Sequence, residues 1–320
     1  MTVDDSAEDA SAATTRGPGQ TDDDGLDGRS QALFQPDRSR PLVAGLHFLA
    51  TPIGAARDIT LRALDVLATA DVLAAEDTRT LRHLMEIHGV KLAGRPLLAY
   101  HDHNGAAMRP RLLRELAEGR SVAYASEAGT PLVADPGYQL CRAVIEAGHQ
   151  VIAAPGPSAV LAALTVSGLP TDRFLFAGFP PPALGARQTF LRELATVPAT
   201  LILYESPKRI HRLLSELAQT FGAGRQAAVC RELTKRFEEV QRGTLADLGD
   251  AFAGRTVKGE IVVLIDRAKE PVVDADRLEE IMRSALSRAS LKDAVAEVAA
   301  LLQLPRREVY QVALRLGQKP

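Results

Sequence analysis

Residues 121–138 read SVAYASEAGTPLVADPGY and combine a strand signal with an unusual loop. The run Ser121–Ala125 is short and apolar, which is typical of a strand that is buried on both faces. The loop that follows is rich in small residues and carries the carboxylates of Glu127 and Asp135. Ligands of parallel α/β sheets bind beyond the carboxyl ends of the strands. This segment is therefore a candidate ligand loop, and a purely structural loop fits its residues about equally well.

Short apolar runs alternate with amphipathic stretches on both sides of this segment. Strands are predicted at Gly45–Ala50, Asp71–Ala75, Pro96–Tyr100, Ser121–Ala125 and Gln150–Ala153. Helices are predicted at Ile59–Ala70, Thr80–His88, Ala107–Glu118 and Tyr138–Ala147. Such alternation, with strands that are apolar on both faces, is typical of a parallel sheet covered by helices. Residues 42–154 are predicted to form an N-terminal α/β domain.

The cluster Pro155-Gly156-Pro157 breaks the pattern and predicts a hinge, followed by a second α/β domain over residues 155–270. Strands are predicted at Phe174–Phe179, Thr200–Tyr204, Gln226–Arg231, Glu238–Gly243 and Glu260–Ile265. The strands around Val229 and Val240 follow each other closely enough to pair antiparallel. The second sheet is therefore predicted to be mixed.

The two ends of the chain differ from these domains. Residues 275–320 are predicted to be a helical module in which Leu291–Leu302 and Arg306–Leu316 are separated by Leu304-Pro305. Residues 1–41 lack apolar periodicity and are predicted to be a disordered acidic tail. That tail accounts for the net charge of −2, and the remainder has a slight basic excess that permits a polyanionic partner without requiring one.

Composition excludes several classes of protein. No apolar run approaches the ~20 residues that a membrane-spanning helix needs. The two cysteines, Cys141 and Cys230, lie far apart, which argues against a disulfide framework or a structural zinc site and favours the cytoplasm. The dinucleotide fingerprint GxGxxG and the phosphate-binding GxxxxGK[ST] are both missing. A nicotinamide-dependent oxidoreductase is therefore not favoured.

Other loops at strand ends could carry chemistry, although each has a simpler explanation. Residues 51–54 allow close approach of a ligand to the backbone, yet taken singly they are better explained as an ordinary turn. Ser158 is explained as the cap of the next helix. Residues 76–79, EDTR, suit either a helix-capping cluster or a functional role, in contacts to a polar substrate or in acid–base work. Residues 101–104, HDHN, offer two histidines without an evident third metal ligand, so no metal site is predicted.

Taken together and in order, these loops resemble the signatures of a known family. The segments are TPIG (51–54), DIT (58–60), AAEDTRTLRHL (74–84), HDHN (101–104), SEAGTPLVADPGY (126–138), APGPSAVLAAL (154–164), SGLPTDRFLFAGF (167–179), LILYESPKRI (201–210), RELTKRFEE (231–239) and KGEIVVLI (258–265). They resemble the small-subunit ribosomal RNA methyltransferases among the tetrapyrrole-methylase-like (class III) methyltransferases. The resemblance covers residues 44–268, and residues 287–317 resemble the helical module of many members.

The resemblance implies a homodimer that binds S-adenosylmethionine between two domains and methylates the 2′-oxygen of a cytidine in 16S ribosomal RNA of the small subunit. The positions that match the family's cofactor pocket are Pro52, Ile53, Gly54, Ser126, Glu127, Ala128, Gly129, Pro131, Ser158, Ala159 and Tyr204. The segments EDTR, YES and RELTK match segments that face the substrate.

Methyl transfer to a ribose hydroxyl needs alignment of the reacting atoms and benefits from a base or a nearby cation. The candidate bases are Asp77, Glu205 and Glu232, and the candidate cations are Arg79, Lys208 and Lys235. Because EDTR adjoins the cofactor loops, Asp77 and Arg79 are expected to matter most, followed by Glu205 and Lys235.

The sequence departs from the family pattern at a few positions. Glu127 replaces the family's usual aspartate, Ala55 and Gly105 end two polar motifs, and residues 180–185 lack the basic side chains found in many members, leaving Arg187. Two alternatives therefore stay open. A tetrapyrrole methylase is disfavoured by EDTR, HDHN, RELTK and the C-terminal helices. A non-enzymatic RNA-binding assembly factor is supported by Glu127 and Gly105 and opposed by the retained glycine and proline turns.

Overall fold

Five apolar segments of the first half form one parallel sheet in the computed structural model, which describes residues 42–134, 136–268, 275–302 and 304–317. The strands of this first sheet are β1 (Gly45–Leu49), β2 (Val72–Ala75), β3 (Leu97–Ala99), β4 (Ser121–Ala125) and β5 (Val151–Ala154), in the order β3-β2-β4-β1-β5. All four pairings are parallel, as predicted. The predicted acidic tail, residues 1–41, lies outside the described residues.

Helices cover both faces of the first sheet. They are α1 (Leu61–Thr69), α2 (Thr78–Ile87), α3 (Gly105–Ala117) and α4 (Tyr138–Glu146), with a 3-10 helix at Ala56–Asp58. On one face Leu49 and Leu73 pack with side chains of α1 and α2. On the other face Leu46 and Tyr124 pack with side chains of α3 and α4. This double coverage explains why every residue of the central strands β1 and β4 is buried and why most of them are apolar.

Helix caps account for the main differences from the predicted boundaries. Helix α2 begins at Thr78 rather than Thr80, because Asp77 occupies the N-cap position and its side chain accepts a hydrogen bond from the Arg79 amide. Helix α1 begins two residues later than predicted, because the Thr60 side chain caps it by accepting from the Ala63 amide. Apolar periodicity does not register such caps.

The second sheet is mixed, as predicted. Its strands are β6 (Phe174–Gly178), β7 (Thr200–Glu205), β8 (Gln226–Arg231), β9 (Glu239–Thr244) and β10 (Ile261–Ile265), in the order β6-β7-β10-β8-β9. Strands β6 and β7 are parallel, whereas the other pairs are antiparallel. Cys230 lies opposite Val240, which confirms the predicted pairing of these neighbouring strands.

Helix α5 (Ala159–Ser167) packs on one face of the second sheet, whereas α6 (Leu184–Leu194), α7 (Ile210–Phe221) and α8 (Leu245–Phe252) pack on the other. Because α5 follows β5 directly, it brings the end of the first sheet against the second. This connection places the carboxyl ends of the first sheet next to the strand ends of the second.

Among the described residues, three helices follow the second sheet, namely α9 (Ala275–Leu286), α10 (Leu291–Leu302) and α11 (Arg306–Gly317). They share a core of their own that includes Met282, Val298 and Val309. The helical module is thus present, while the predicted domain limits stay predictions. Among the described residues, no helix combines the length and apolarity needed to cross a membrane.

Candidate active site

Three loops meet at the carboxyl edge of the first sheet. Thr51, which follows β1, and Gly129, which follows β4, exchange backbone hydrogen bonds of 2.9 and 3.0 Å. The Ser126 hydroxyl donates to the Gly129 carbonyl at 2.8 Å, and the Thr130 hydroxyl donates to the Pro157 carbonyl at 2.9 Å. Gly129 has a φ of 79°, in the left-handed region that glycine adopts readily. The candidate cofactor loops are therefore held together as one unit.

A loop from the second sheet packs directly against the turn at Gly54. The Ala55 amide donates to the Thr234 hydroxyl at 3.1 Å. A Cβ atom placed on Gly54 would lie 2.5 Å from Lys235 Cγ and 2.6 Å from Thr234 Oγ1. Glycine at this position leaves room for the loop. Gly54 therefore allows residues 233–235 of the second domain to pack against the turn that follows β1.

Lys235 anchors the same loop through two carboxylates. Its Nζ donates to Glu232 at 2.8 Å and to Glu260 at 2.6 Å. The hydrogen bond from Lys235 holds the pKa of Glu232 below its usual range, against the opposing effect of burial. Glu232 and Thr234 both adopt left-handed φ values, 52° and 63°, which are uncommon for residues other than glycine. Such strain persists where surrounding contacts fix the backbone, and it clusters at functional sites.

A cavity of about 440 Å³ lies between the two sheets. Its walls come from the loops at the carboxyl edge of the first sheet, from α5 and from strand ends of the second sheet. The lining residues are Ile53, Glu127, Ala128, Gly129, Thr130, Val133, Ala134, Ser158, Ala159, Phe179, Tyr204, Glu205, Ser206, Pro207, Cys230, Leu233, Gly259, Glu260, Ile261 and Val262.

Most of the residues predicted to bind a cofactor line this cavity. Those in its walls are Ile53, Glu127, Ala128, Gly129, Ser158, Ala159 and Tyr204. Pro52, Gly54, Ser126 and Pro131 are outside the lining, and Gly54 and Ser126 support it from behind through the contacts described above. Ser158 occupies the N-cap position of α5 but makes no side-chain cap hydrogen bond, so the capping explanation is wrong. Ser158 is among the residues that line the cavity.

Among the four side chains predicted to act in catalysis, Glu205 is the one found in the cavity wall within the described residues. It is almost fully buried, with 3% of its surface exposed. Its Oε1 accepts hydrogen bonds from Arg209 Nε at 2.6 Å and from the Ser206 amide at 2.7 Å. Its neighbours therefore hold the carboxylate in one orientation.

Asp77 and Arg79 pair with each other at the start of α2. Their side chains form an ion pair of 2.8 Å, and Asp77 also caps the helix. These hydrogen bonds, with the charge of Arg79, lower the pKa of Asp77 to about 2, which makes its carboxylate a weak base. Neither residue is in the cavity wall. Of the two explanations left open for EDTR, capping is the one that these contacts display.

A second carboxyl group, that of Glu76, lies next to Glu127 but outside the cavity lining. Glu76, at the end of β2, accepts a hydrogen bond from the Glu127 backbone, and burial together with the charges of Glu127 and Asp102 raises its pKa. Its Oε2 is buried without a hydrogen-bond partner among the described residues. A concentration of carboxylates at one wall favours a ligand that carries positive charge there.

The second sheet contributes lining residues that the sequence did not single out. Phe176 and Phe179 both pack edge-on against Tyr204, with ring centroids 4.8 and 5.4 Å apart. Burial raises the pKa of the Cys230 thiol to about 12, so this cavity-lining sulfur stays protonated and is a poor nucleophile. Within the described ranges, no three His, Cys, Asp or Glu side chains are grouped so as to hold a metal ion.

Known proteins resemble this chain over both α/β parts and the helical module. The Tetrapyrrole (Corrin/Porphyrin) Methylases family matches residues 45–249, and the RsmI C-terminal HTH domain matches residues 272–317. Among solved structures, cobalt precorrin-4 methyltransferase aligns with a TM-score of 0.53 and 19% identity, covering 69% of this chain and 94% of that one. At this identity the likeness shows the fold.

Relatives of higher identity define the family more narrowly. The ribosomal RNA small subunit methyltransferase I of Mesorhizobium japonicum is 46% identical over 279 residues, which cover 87% of this chain and 94% of the relative. The protein of the same name from Xylella fastidiosa is 42% identical over 271 residues, covering 83% and 97%. The chain belongs to the ribosomal RNA small subunit methyltransferase I family of tetrapyrrole-type methylases.

Proposed function

We propose that this protein transfers a methyl group from S-adenosylmethionine to 16S ribosomal RNA of the small subunit, at the 2′-oxygen of a cytidine. The observation that carries the proposal is the cavity, which joins family-matched loops of the first sheet to strand ends of the second. Similarity over 83% or more of this chain to relatives named ribosomal RNA small subunit methyltransferase I supports the choice of acceptor. Because that acceptor is ribosomal, we place the reaction in the cytoplasm.

The cavity fits S-adenosylmethionine in size and charge. Its 440 Å³ falls within the 300–1,000 Å³ that is common for small-molecule sites. We propose that Glu127 accepts hydrogen bonds from the ammonium or ribose of the cofactor, while Ile53, Gly129 and Ala159 contact it from the adjacent walls. When bound, S-adenosylmethionine supplies a methyl group activated by a sulfonium. The task of the protein is then to align an acceptor oxygen with that methyl group.

We propose Glu205 as the group that takes the proton of the acceptor hydroxyl. It is the predicted catalytic carboxylate that lines the cavity, and Arg209 and the Ser206 amide fix its orientation. Lys235 is proposed to act indirectly, by keeping the loop of residues 231–235 against Gly54. Asp77 and Arg79 are proposed to order the start of α2 beside the cofactor loops.

The Glu205→Gln variant is expected to lower kcat by about 100-fold, the smaller end of the range for general base catalysis. Glutamine can still accept a hydrogen bond from Arg209, so folding and cofactor affinity should change little. Turnover is measured with saturating cofactor and small subunits, and a kcat near the wild-type value would exclude Glu205 as the base.

In the same assay, full turnover by a folded Asp77→Ala variant would exclude a direct role for Asp77.

The function itself is tested by transfer of labelled methyl from S-adenosylmethionine to small subunits isolated from cells that lack this protein, with mapping of the product nucleotide. One labelled 2′-O-methylcytidine would establish cofactor, acceptor and reaction together. Cofactor binding in calorimetry without labelled RNA would overturn the acceptor and favour a tetrapyrrole methylase. A chain that binds no cofactor would instead favour the non-enzymatic assembly factor.

We further propose that the protein acts as a homodimer. Strand β6 is an edge strand of the second sheet, and it exposes Phe174 and Leu175, which point to opposite faces. Exposed apolar edge strands are normally covered in a native assembly. Light scattering is expected to give twice the chain mass of 34.3 kDa, and a single-chain mass at micromolar concentration would contradict the dimer.

A further inference from the structure

Phe179 is an exposed aromatic residue at the edge of the cavity. It lines the cavity, yet 53% of its surface remains accessible. The chain contains few aromatic residues, with nine phenylalanines, five tyrosines and no tryptophan. A single exposed apolar side chain is common on a protein surface, but this one borders a cavity that the proposed function assigns to a ligand.

The backbone before Phe179 is shaped to direct the residue toward the cavity. The pairing of β6 with β7 shifts register between Phe176 and Gly178, so that Ala177 is an extra residue in β6. Gly178 then adopts a φ of 73°, in the left-handed region. Irregularities of this kind change the direction of a strand and are common beside active sites. Here they turn the chain so that Phe179 meets Tyr204 instead of continuing along the edge of the sheet.

A buried arginine fixes the segment that follows Phe179. The guanidinium of Arg187 donates through Nη1 to the carbonyls of Pro181 and Pro182, at 3.1 and 2.7 Å. Its Nε and Nη2 donate to the two carboxylate oxygens of Glu216 on α7, at 2.6 and 2.8 Å. Arg187 is 1% exposed, so it is an internal tie between residues 180–183 and α7. Phe179 is thus held between an irregular strand end and an anchored loop.

We propose that Phe179 is the surface on which the target nucleobase of the acceptor RNA stacks when its nucleotide enters the cavity. This inference rests on the proposed function. A ribose that enters the cavity brings its base out of the RNA stack, and an aromatic ring can replace the lost stacking. The ring of Phe179 packs against Tyr204, at a centroid distance of 5.4 Å, and 53% of the residue's surface stays exposed for a base to cover.

The same edge of the cavity can also hold a nucleotide's phosphate. Lys208 is exposed and follows Ser206 and Pro207, both of which line the cavity. An aromatic surface with a cation close by matches the two chemical parts of a nucleotide, its base and its phosphate. The carboxylates that we assign to the cofactor, Glu127 above all, belong to the opposite sheet. With the cofactor at Glu127 and the nucleotide at Phe179 and Lys208, the nucleobase lies on the side of the second sheet.

The test compares Phe179→Leu with Phe179→Tyr and with the control Phe174→Leu. Leucine keeps apolar volume but cannot stack, whereas tyrosine can. Phe174 lies in strand β6, is 44% exposed and is outside the cavity wall. Leucine keeps this edge apolar, so the proposed dimer contact should be retained, and light scattering of the variant checks this. For each variant we would measure KM and kcat with small subunits, the cofactor Kd by calorimetry and the melting temperature. We expect Phe179→Leu to raise the KM for small subunits about tenfold, in the range known for loss of base stacking.

The cofactor Kd and melting temperature should stay near the wild-type values in that variant, Phe179→Tyr should restore KM, and Phe174→Leu should leave KM unchanged. A weakened cofactor Kd in Phe179→Leu would assign the ring to the cofactor and overturn the inference. An unchanged KM, or equal effects of leucine and tyrosine, would overturn it as well. Wild-type protein that labels no RNA would overturn the proposed function itself. Wild-type protein that labels RNA, together with a Phe179→Leu variant of unchanged KM, would overturn the stacking role alone.

Discussion

Replacing Glu216 by alanine is expected to lower the free energy of unfolding by about 3 kcal/mol, because it leaves the guanidinium of Arg187 buried without a counterion. The side chains of Arg187 and Glu216 are 2% and 13% exposed, and two short hydrogen bonds join them. The carbonyls of Pro181 and Pro182 would remain as acceptors but carry no charge to balance the cation. Urea unfolding of the full chain, followed by circular dichroism, measures the change.

Two comparisons make this prediction specific. Glu146→Ala breaks an ion pair with Arg142 at the surface, where the side chains of Arg142 and Glu146 are 57% and 63% exposed. This variant should change stability very little. Replacing Arg187 and Glu216 together by leucine should be less destabilising than Glu216→Ala, since no unpaired charge remains. Equal stability of Glu216→Ala and Glu146→Ala would contradict a structural role for the buried pair.

The pair of Arg187 and Glu216 should also make the free energy of unfolding depend on pH. Hydrogen bonds from Arg187 hold the pKa of Glu216 below its usual value of 4.5, against the opposing effect of burial. A carboxylate whose pKa is lower in the folded state stabilises the fold above its unfolded pKa, and this contribution is lost as pH falls through the folded pKa. The stability difference between wild type and Glu216→Ala should therefore shrink as unfolding is measured at pH values below 4.5.

The Gly54→Ala variant is expected to weaken cofactor binding about tenfold and to destabilise the fold by about 1–3 kcal/mol, as overpacked sites do. The added methyl group would lie 2.6 Å from Thr234 Oγ1 and 3.0 Å from the Leu233 carbonyl. Backbone strain is not the cause, since Gly54 does not adopt a positive φ. The methyl group instead pushes residues 233–235 away from the turn, and Ile53 and Leu233 then no longer meet across the cavity.

Gly185→Ala provides the matched control. Gly185 lies inside α6, and a methyl group there meets nothing within 4 Å. Alanine is favoured over glycine in helices, so this variant should bind the cofactor normally and be slightly more stable. Calorimetry with S-adenosylmethionine and thermal melting measure both variants. A Gly54→Ala protein that binds the cofactor as the wild type does would show that the loop can move aside without consequence.

The fold followed from the sequence wherever a pattern was local. Alternating apolar runs predicted both sheets, and the short connection between β8 and β9 predicted their antiparallel pairing. Helix ends were less accurate, because they depend on single capping side chains such as those of Thr60 and Asp77. Periodicity reports which face of a helix is buried and carries no information about the residue that ends it.

The sequence likewise predicted some residues of the candidate site and missed others. Residues such as Ile53 and Gly129 belong to turns rich in glycine and proline, so the loops themselves drew attention to them. Phe179, Cys230 and Val262 come from ordinary strand sequences and reach the cavity only through the packing of the second sheet. The hydrogen bond between Ala55 and Thr234 spans 179 positions of the chain, and no local pattern predicts a contact of that length.

Because the guanidinium of Arg187 points into the protein, it adds no positive charge to the surface next to Phe179. Residues 180–186 read PPPALGA and contain no charged side chain, while the charge of Arg187 is neutralised inside the protein. Cations that bind phosphates release counterions from a nucleic acid, which makes affinity fall steeply with salt. The segment after Phe179 has no free cation to offer in this exchange. Any affinity for RNA that residues 179–186 contribute comes from uncharged contacts, and this part persists at ionic strengths that dissociate phosphate contacts such as the one proposed for Lys208.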